Sequence, residues 1–153
     1  DMHSKVRVYG RFQIPPFSRP TKLRSAIRMG LKLDRAGLIP QSVLIDHGAS
    51  VIRMIHLAVR AGARKIILVG VDLLNSPYFF EEDPSFLLQI GAPKFSRTPE
   101  SGNHGTVERR PGSESVANFL SQLRIVLLED TGVQLMAMRP SQALNGIMPE
   151  FSG

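Results

Sequence analysis

The sequence predicts an α/β domain of the Rossmann-like type, with a mainly parallel sheet flanked by helices. Strand and helix patterns alternate along the chain, which is the order that parallel βαβ units require. The segment Lys65 to Val71 is continuously apolar and rich in β-branched residues, as expected for a strand buried on both faces. A length of 153 residues suits one domain, so residues 1–153 are interpreted as a single α/β unit. Because the chain begins Asp-Met-His-Ser-Lys, we expect a fragment of a longer chain or a processed product.

The first predicted elements are a strand, a proline-rich connection and a helix. Lys5 to Tyr9 alternates polar and apolar residues, which predicts a short half-buried strand. Residues 11–20 hold three prolines and are predicted to form a loop or an extended connection. A helix is predicted from Thr21, which we expect to be its N-cap. The apolar stripe of this helix consists of Leu23, Ile27 and Leu31. Its basic residues are expected to stay in solvent: Lys22, Arg24, Arg28, Lys32 and Arg35.

Residues 42–72 predict a strand–helix–strand unit. Ser42 to Asp46 is a compact apolar run and is predicted to be a strand. A turn of small residues follows, and apolar residues then recur at helical spacing as far as Ala61. Gly62 is expected to close this helix as its C-terminal cap, and the strand Lys65 to Val71 comes next.

The second half of the chain predicts a long connection, a helix and a strand. Residues 73–112 hold five prolines and the cluster Tyr78-Phe79-Phe80, and are predicted to be a functional loop or lid. Ser113 is expected to cap the strongest helix, whose apolar face consists of Val116, Phe119, Leu120, Leu123 and Leu127. Gly132 ends it, Val133 to Met138 predicts another strand, and a short final helix is expected from Pro140 to Leu144.

Composition excludes some classes of function and leaves others open. The chain has no cysteine, which excludes disulfides, cysteine-based zinc sites and a thiol nucleophile. The net charge of +6 suits an anionic partner such as nucleic acid, a nucleotide sugar or an acidic membrane surface, but an inert basic surface fits equally well. No apolar run reaches the roughly 18 residues that a membrane span needs. We therefore expect a cytoplasmic protein, with peripheral membrane association as an alternative.

Three groups of residues are candidates for chemistry, because ligands of parallel α/β sheets bind beyond the carboxyl ends of the strands. Gly48-Ala49-Ser50 could hold a phosphate or carboxylate on backbone N–H groups, or Ser50 could simply cap the helix. Asp72 could bind a sugar hydroxyl, or cap the turn that follows its strand. His104 could act as a general base, or be an exposed loop histidine. The four histidines have no metal-ligand spacing, so no metal site is predicted.

The order of these features resembles the bacterial sialyltransferases of glycosyltransferase family 42. The resemblance rests on Ala49-Ser50, Gly70-Val71-Asp72, the loop aromatics Tyr78 and Phe80, and His104, and it spans residues 42–150. It implies that Ala49-Ser50 contacts the cytidine monophosphate (CMP) part of a CMP-activated sugar and that Tyr78 holds the donor phosphate. It also implies that His104 is the general base and that catalysis needs no metal or other cofactor.

The sequence departs from this family at two points, and alternatives remain. Leu74 occupies the position of the family's second loop tyrosine, and the family's Gly-rich nucleotide loop has no counterpart. The wider Rossmann-like group includes archaeal-type pterin diphosphokinases, which would need Mg²⁺ and a carboxylate cluster such as Glu81-Glu82-Asp83. A third alternative is a non-catalytic basic module that binds nucleic acid or another partner. The expected function is glycosyl transfer of sialic acid or a similar sugar; the acceptor, the exact sugar and any oligomeric state stay open.

Overall fold

The computed structural model describes residues 10–14, 17, 19–71, 73, 115–140 and 144–152. These residues form four strands and three helices, so the class is mixed α/β, as predicted. Their order is β1 (Gly10–Gln13), α1 (Pro20–Arg35), β2 (Val43–Asp46), α2 (Ser50–Arg60), β3 (Lys65–Leu68), α3 (Val116–Thr131) and β4 (Gln134–Ala137).

The strands pair in parallel, but they form two separate two-stranded sheets within the described part of the chain. β1 pairs with β2 in the register Gly10 to Val43, and β3 pairs with β4 in the register Lys65 to Gln134. The predicted unit of residues 42–72 therefore has its two strands and its helix, but the strands belong to different sheets. A full Rossmann-like sheet, which would join them, is not seen among these residues.

The second edge of β2 shows why it does not accept β3 at this position. Gly10 N donates to Ser42 O at 2.6 Å, and Ile14 N donates to Asp46 O at 3.2 Å. Because backbone groups alternate in direction along a strand, residue 45 faces the opposite edge. There Ile45 N donates to His56 Nδ1 at 2.9 Å. A side chain of α2 thus occupies the donor that a neighbouring strand would need.

The beginning of the described chain differs from the prediction. β1 covers residues 10–13, where a loop over residues 11–20 was expected, and the predicted strand Lys5 to Tyr9 lies outside the described residues. The prolines follow the strand rather than interrupt it, and Phe12 and Ile14 pack toward the core. The N-cap of α1 is Arg19 rather than Thr21, because a proline occupies the first helical position, where its missing N–H costs nothing.

The two long helices bury the apolar residues that the sequence predicts for them. Leu23, Ile27 and Leu31 of α1 are buried, and so is the whole predicted apolar face of α3. The side chain of Ser115 caps α3 by accepting from Asn118 N at 3.2 Å, whereas the predicted cap Ser113 lies outside the described residues. Gly132 ends α3 with a φ of 70°, a left-handed conformation that favours glycine.

Two basic residues of α1, Arg24 and Arg28, are half-buried rather than solvated, because they bind α3. The other three are exposed as predicted: Lys22, Lys32 and Arg35. Arg24 Nε donates to Gln122 Oε1 at 3.0 Å. Arg28 Nε donates to Asp130 Oδ2 at 2.9 Å, and its terminal nitrogen pairs with Glu129 at 2.7 Å. The earlier arginine of α1 contacts an earlier residue of α3, and the later arginine contacts later residues. The two helices α1 and α3 therefore run in the same direction.

β3 is shorter and more exposed than predicted. It ends at Leu68 rather than Val71, and its residues Ile66 and Ile67 are only half-buried. Val69, directly after it, is 67% exposed. The expectation of burial on both faces is wrong here, because the described helices α2 and α3 pack mainly against β2 and β4 rather than against β3.

The chain after β4 forms a turn that covers the end of the core. Residues 144–147 form a turn. Most of the predicted final helix, Pro140 to Leu144, falls on residues 141–143, outside the described part. Leu144 and Met148 are buried, and Ala137 forms a parallel bridge with Glu150. None of the helices in the described ranges is long and apolar enough to cross a membrane.

Two adjacent leucines of α3 test whether this helix carries the core. Leu127 is completely buried and Leu128 is 49% exposed. Leu127→Ala should lower the free energy of unfolding by about 2–5 kcal/mol, because it removes apolar contacts and leaves a cavity. Leu128→Ala, the matched control, should cost less than about 1 kcal/mol. Urea unfolding followed by circular dichroism measures both, and equal losses would contradict the described packing.

Candidate functional site

The turn between β2 and α2 contains the predicted donor site. Gly48 has a φ of 79°. Ala49, not Ser50, is the N-cap of α2, and its side chain makes no capping bond. Ser50 is exposed at the first helical position, where its Oγ accepts from Arg53 at 3.4 Å. The alternative in which Ser50 only caps the helix is therefore wrong.

Asp46, the last residue of β2, organises this turn. Its side chain is buried, and its Oδ1 accepts the N–H of Gly48 at 3.1 Å. Its Oδ2 lies 3.6 Å from Nε of Arg11 in the neighbouring strand. The N–H of Gly48 therefore already has an anionic partner, so a ligand would have to use the N–H groups of the first turn of α2.

His47 brings the start of α3 to the same place. Its ring stacks on Phe119, with 4.5 Å between ring centroids and 16° between planes. Its Nδ1 lies 3.4 Å from Ile14 O, at the end of β1. The ends of β1 and β2 and the starts of α2 and α3 thus meet at one edge of the fold, called the carboxyl edge from here on.

The starts of the described helices lie at the carboxyl edge. A helix N-terminus carries a positive partial charge, which acidic residues in the first turn usually offset. No first turn of α1, α2 or α3 contains an acidic residue. The acidic residues of the described helices lie instead in last turns, at the opposite edge: Asp34, Glu129 and Asp130. This polarity favours an anion at the carboxyl edge.

A buried polar cluster that the sequence did not reveal lies beneath the middle of α2. His56 is 3% exposed, and its Nε2 lies 3.0 Å from Oδ2 of Asp34 in α1. Arg60 also binds the Asp34 carboxylate, and its Nη1 donates to Gln41 O at 2.8 Å. The sequence shows only that the i, i+4 spacing of His56 and Arg60 puts them on the same side of the helix, and it gives no sign of their partner Asp34.

The hydrogen bonds of His56 define its protonation state. Ile45 N–H must donate, so Nδ1 carries the lone pair, and the proton on Nε2 points at the Asp34 carboxylate. Burial lowers the pKa of His56, more than the neighbouring Asp34 carboxylate raises it. Burial raises the pKa of Asp34, but the hydrogen bonds from Arg60 and His56 outweigh this, and the pKa is lowered. Both ring nitrogens of His56 are engaged, so the residue is structural rather than a catalytic base.

A groove of about 1380 Å³ lies at the opposite edge, between the C-terminal ends of the helices. Asp34, Arg60 and Arg64 are among the residues that line it. The charges of Asp34 and Arg60 are paired with each other, and Gly62 N already caps α2 by donating to Val59 O at 3.0 Å. Helix C-termini disfavour anions. The groove is therefore a poorer place for a phosphate than the carboxyl edge, despite its size.

The predicted site is described only in part. Gly48, Ala49 and Ser50 lie at the carboxyl edge, as expected, whereas Asp72, Tyr78 and His104 lie outside the described residues. The cluster Glu81-Glu82-Asp83 falls there too. No group of acidic or histidine side chains within the described ranges could hold a metal ion.

Comparison with family models, with curated proteins and with solved structures finds no match.

The His56 cluster should make stability depend on pH. The pKa of His56 is lowered in the folded state, so the unfolded state binds its proton first as the pH falls below about 6.5. The stability from neutral His56 is thus present above that pH and is lost below it. His56→Gln should be less stable by about 1–3 kcal/mol at pH near 7.5, because the buried partners lose their hydrogen bonds.

Urea unfolding of both proteins at several pH values measures this effect. The difference in stability between wild type and His56→Gln should narrow as the pH falls from about 7.5 to about 5.5, because only the wild type loses the His56 contribution. A difference that stays constant over this range would show that His56 is not held neutral.

Proposed function

We propose that this chain binds the donor of a sialyltransferase-like glycosyltransferase, which transfers sialic acid or a similar sugar from CMP to an acceptor hydroxyl. The observation that carries the proposal is the turn of residues 48–50, placed at an edge with three helix starts whose first turns hold no acidic residue. A nucleotide sugar presents a phosphate, which this edge favours electrostatically. The resemblance of residues 42–150 to family 42 supplies the identity of the nucleotide.

The proposed reaction needs a base and a leaving group but no metal. His104 takes the proton of the acceptor hydroxyl, and the hydroxyl oxygen attacks the anomeric carbon of the sugar. The bond from that carbon to the phosphate oxygen breaks, and CMP leaves with the electron pair. Ala49-Ser50 and Tyr78 hold the donor, and Asp72 shapes the site. The proposal requires that His104→Ala in the intact parent protein abolishes transfer while CMP still binds.

A non-catalytic basic module remains the second candidate, favoured by the same helix starts and by the net charge of +6. Such a module would bind polyanions tightly and with a steep salt dependence, whatever the base. A donor site would instead distinguish CMP from other nucleotides. Nothing among the described residues favours pyrophosphate transfer to a pterin, which would need a Mg²⁺ site.

Ser50→Asp separates binding at this turn from stability of the fold. An acid at the first position of α2 should stabilise the helix by about 0.3–1 kcal/mol, because it offsets the helix dipole. The same charge should repel the donor phosphate and weaken CMP binding about tenfold or more. Thermal unfolding without ligand measures the first effect, and calorimetric titration with CMP measures the second.

Ser50→Ala is the matched control, because it removes the hydroxyl without adding charge. The proposal expects wild type to bind CMP more tightly than adenosine or guanosine monophosphate, and Ser50→Ala to bind much better than Ser50→Asp. If Ser50→Asp binds CMP as well as wild type does, the donor phosphate does not lie at this turn. If wild type does not distinguish the nucleotides, the basic-module alternative is favoured.

A further inference from the structure

Asp46 is a buried carboxylate with few partners. Its side chain is 4% exposed, and its Oδ1 accepts a single hydrogen bond, from Gly48 N at 3.1 Å. An ionised carboxylate has about four acceptor positions, and a buried charge is costly unless it is well paired. Its other contact is Arg11 Nε, which at 3.6 Å is an ion pair rather than a hydrogen bond. Among the described residues, only the Gly48 N–H and the Arg11 guanidinium compensate this buried charge.

Arg11 supplies the complementary observation. It lies in β1 opposite Leu44, and its side chain is 64% exposed. Its Nε faces Asp46, whereas its two terminal nitrogens have no hydrogen-bond partner among the described residues. The two oxygens of one carboxylate therefore join an exposed guanidinium to the turn at residue 48. A guanidinium held in this way presents a planar pair of donors, which matches two oxygens of a phosphate.

We propose that Arg11 binds the phosphate of the CMP donor and that Asp46 is a positioning residue, which holds both Arg11 and the turn of residues 48–50. This inference rests on the proposed function and adds the group that selects a phosphate over a neutral nucleoside. No bond is made or broken at either residue. Together, Arg11 and Asp46 fix the position at which the phosphate binds on the carboxyl edge.

Removing the charge of Arg11 tests the first half of the inference. Arg11→Gln should weaken CMP binding about tenfold to a hundredfold, because it removes charge-assisted hydrogen bonds. Binding of cytidine, which lacks the phosphate, should not change. Arg64→Gln is the matched control, because Arg64 is an exposed arginine at the opposite edge. It removes the same charge from the protein and should leave CMP binding unchanged. Calorimetric titration or competition binding gives the affinities.

Asp46→Asn tests the second half of the inference, because the direction of the change in CMP affinity separates two explanations. Asparagine keeps an oxygen that can accept the Gly48 N–H, so the turn is preserved, but it loses the attraction for Arg11. A positioning role predicts weaker CMP binding. Simple repulsion between Asp46 and the donor phosphate predicts the opposite, that Asp46→Asn binds CMP more tightly. Thermal unfolding without ligand confirms that each variant is folded at the temperature of the titration.

The outcomes separate this inference from the proposed function. If wild type binds no CMP, the proposed function and the inference both fail. If wild type binds CMP and Arg11→Gln binds it equally well, only the inference fails. It also fails if Arg64→Gln loses as much affinity as Arg11→Gln, or if Asp46→Asn binds more tightly than wild type. Weaker CMP binding by Arg11→Gln and Asp46→Asn, with cytidine binding unaltered in Arg11→Gln, supports it.

Discussion

The N–H of Ile45 is the constraint on which the described structure depends. It is buried at the edge of β2 that β1 does not cover, and an unpaired N–H there would be costly. His56 accepts it, Asp34 orients the His56 ring, and Arg60 neutralises Asp34. The cluster thus ties β2 to both α1 and α2. Because each group engages the next, removal of one would leave the others unpaired.

This constraint also places the carboxyl edge. With α2 locked against β2, its first turn lies directly beyond the end of that strand, and Asp46 holds the turn through Gly48. On the other side, Arg28 pairs with Glu129 and Asp130 in the last turn of α3. Arg24, one turn earlier in α1, binds Gln122, which also comes earlier in α3. The two helices therefore run in the same direction and start at the same edge. The acidic residues of the described helices lie in their last turns at one edge, and the helix starts lie at the other. The electrostatic polarity of the site therefore follows from the way the helices are held.

Much of the fold could be predicted from the sequence because apolar periodicity reports burial directly. The stripes of α1 and α3 and the glycine at the end of α3 are as expected. Pairing of strands could not be predicted, because it depends on which edge donors are already used. A histidine in the middle of a helix gives no sign that it reaches a strand, so the engagement of Ile45 by His56 was missed. β1 was missed because its prolines follow it closely.

In the candidate site too, the local structure could be predicted from the sequence and the long-range contacts could not. The turn at residues 48–50 was predicted from small residues between a strand and a helix, and the structure has it at that place. The partners of this turn were not predicted. Arg11 is distant in sequence and lies in a segment that the sequence predicts to be a loop, and the sequence pattern shows Asp46 only as the end of a strand. Contacts between residues distant in sequence require the fold itself.

The most direct test of a donor site at the carboxyl edge is an amide chemical-shift titration with CMP by nuclear magnetic resonance. The account predicts that the backbone amides of residues 11–14 and 47–53 shift together, with one common affinity. The amides that line the opposite groove, residues 60–64 and 130–133, should not move. Shifts confined to that groove, or no saturable shifts at all, would contradict the account.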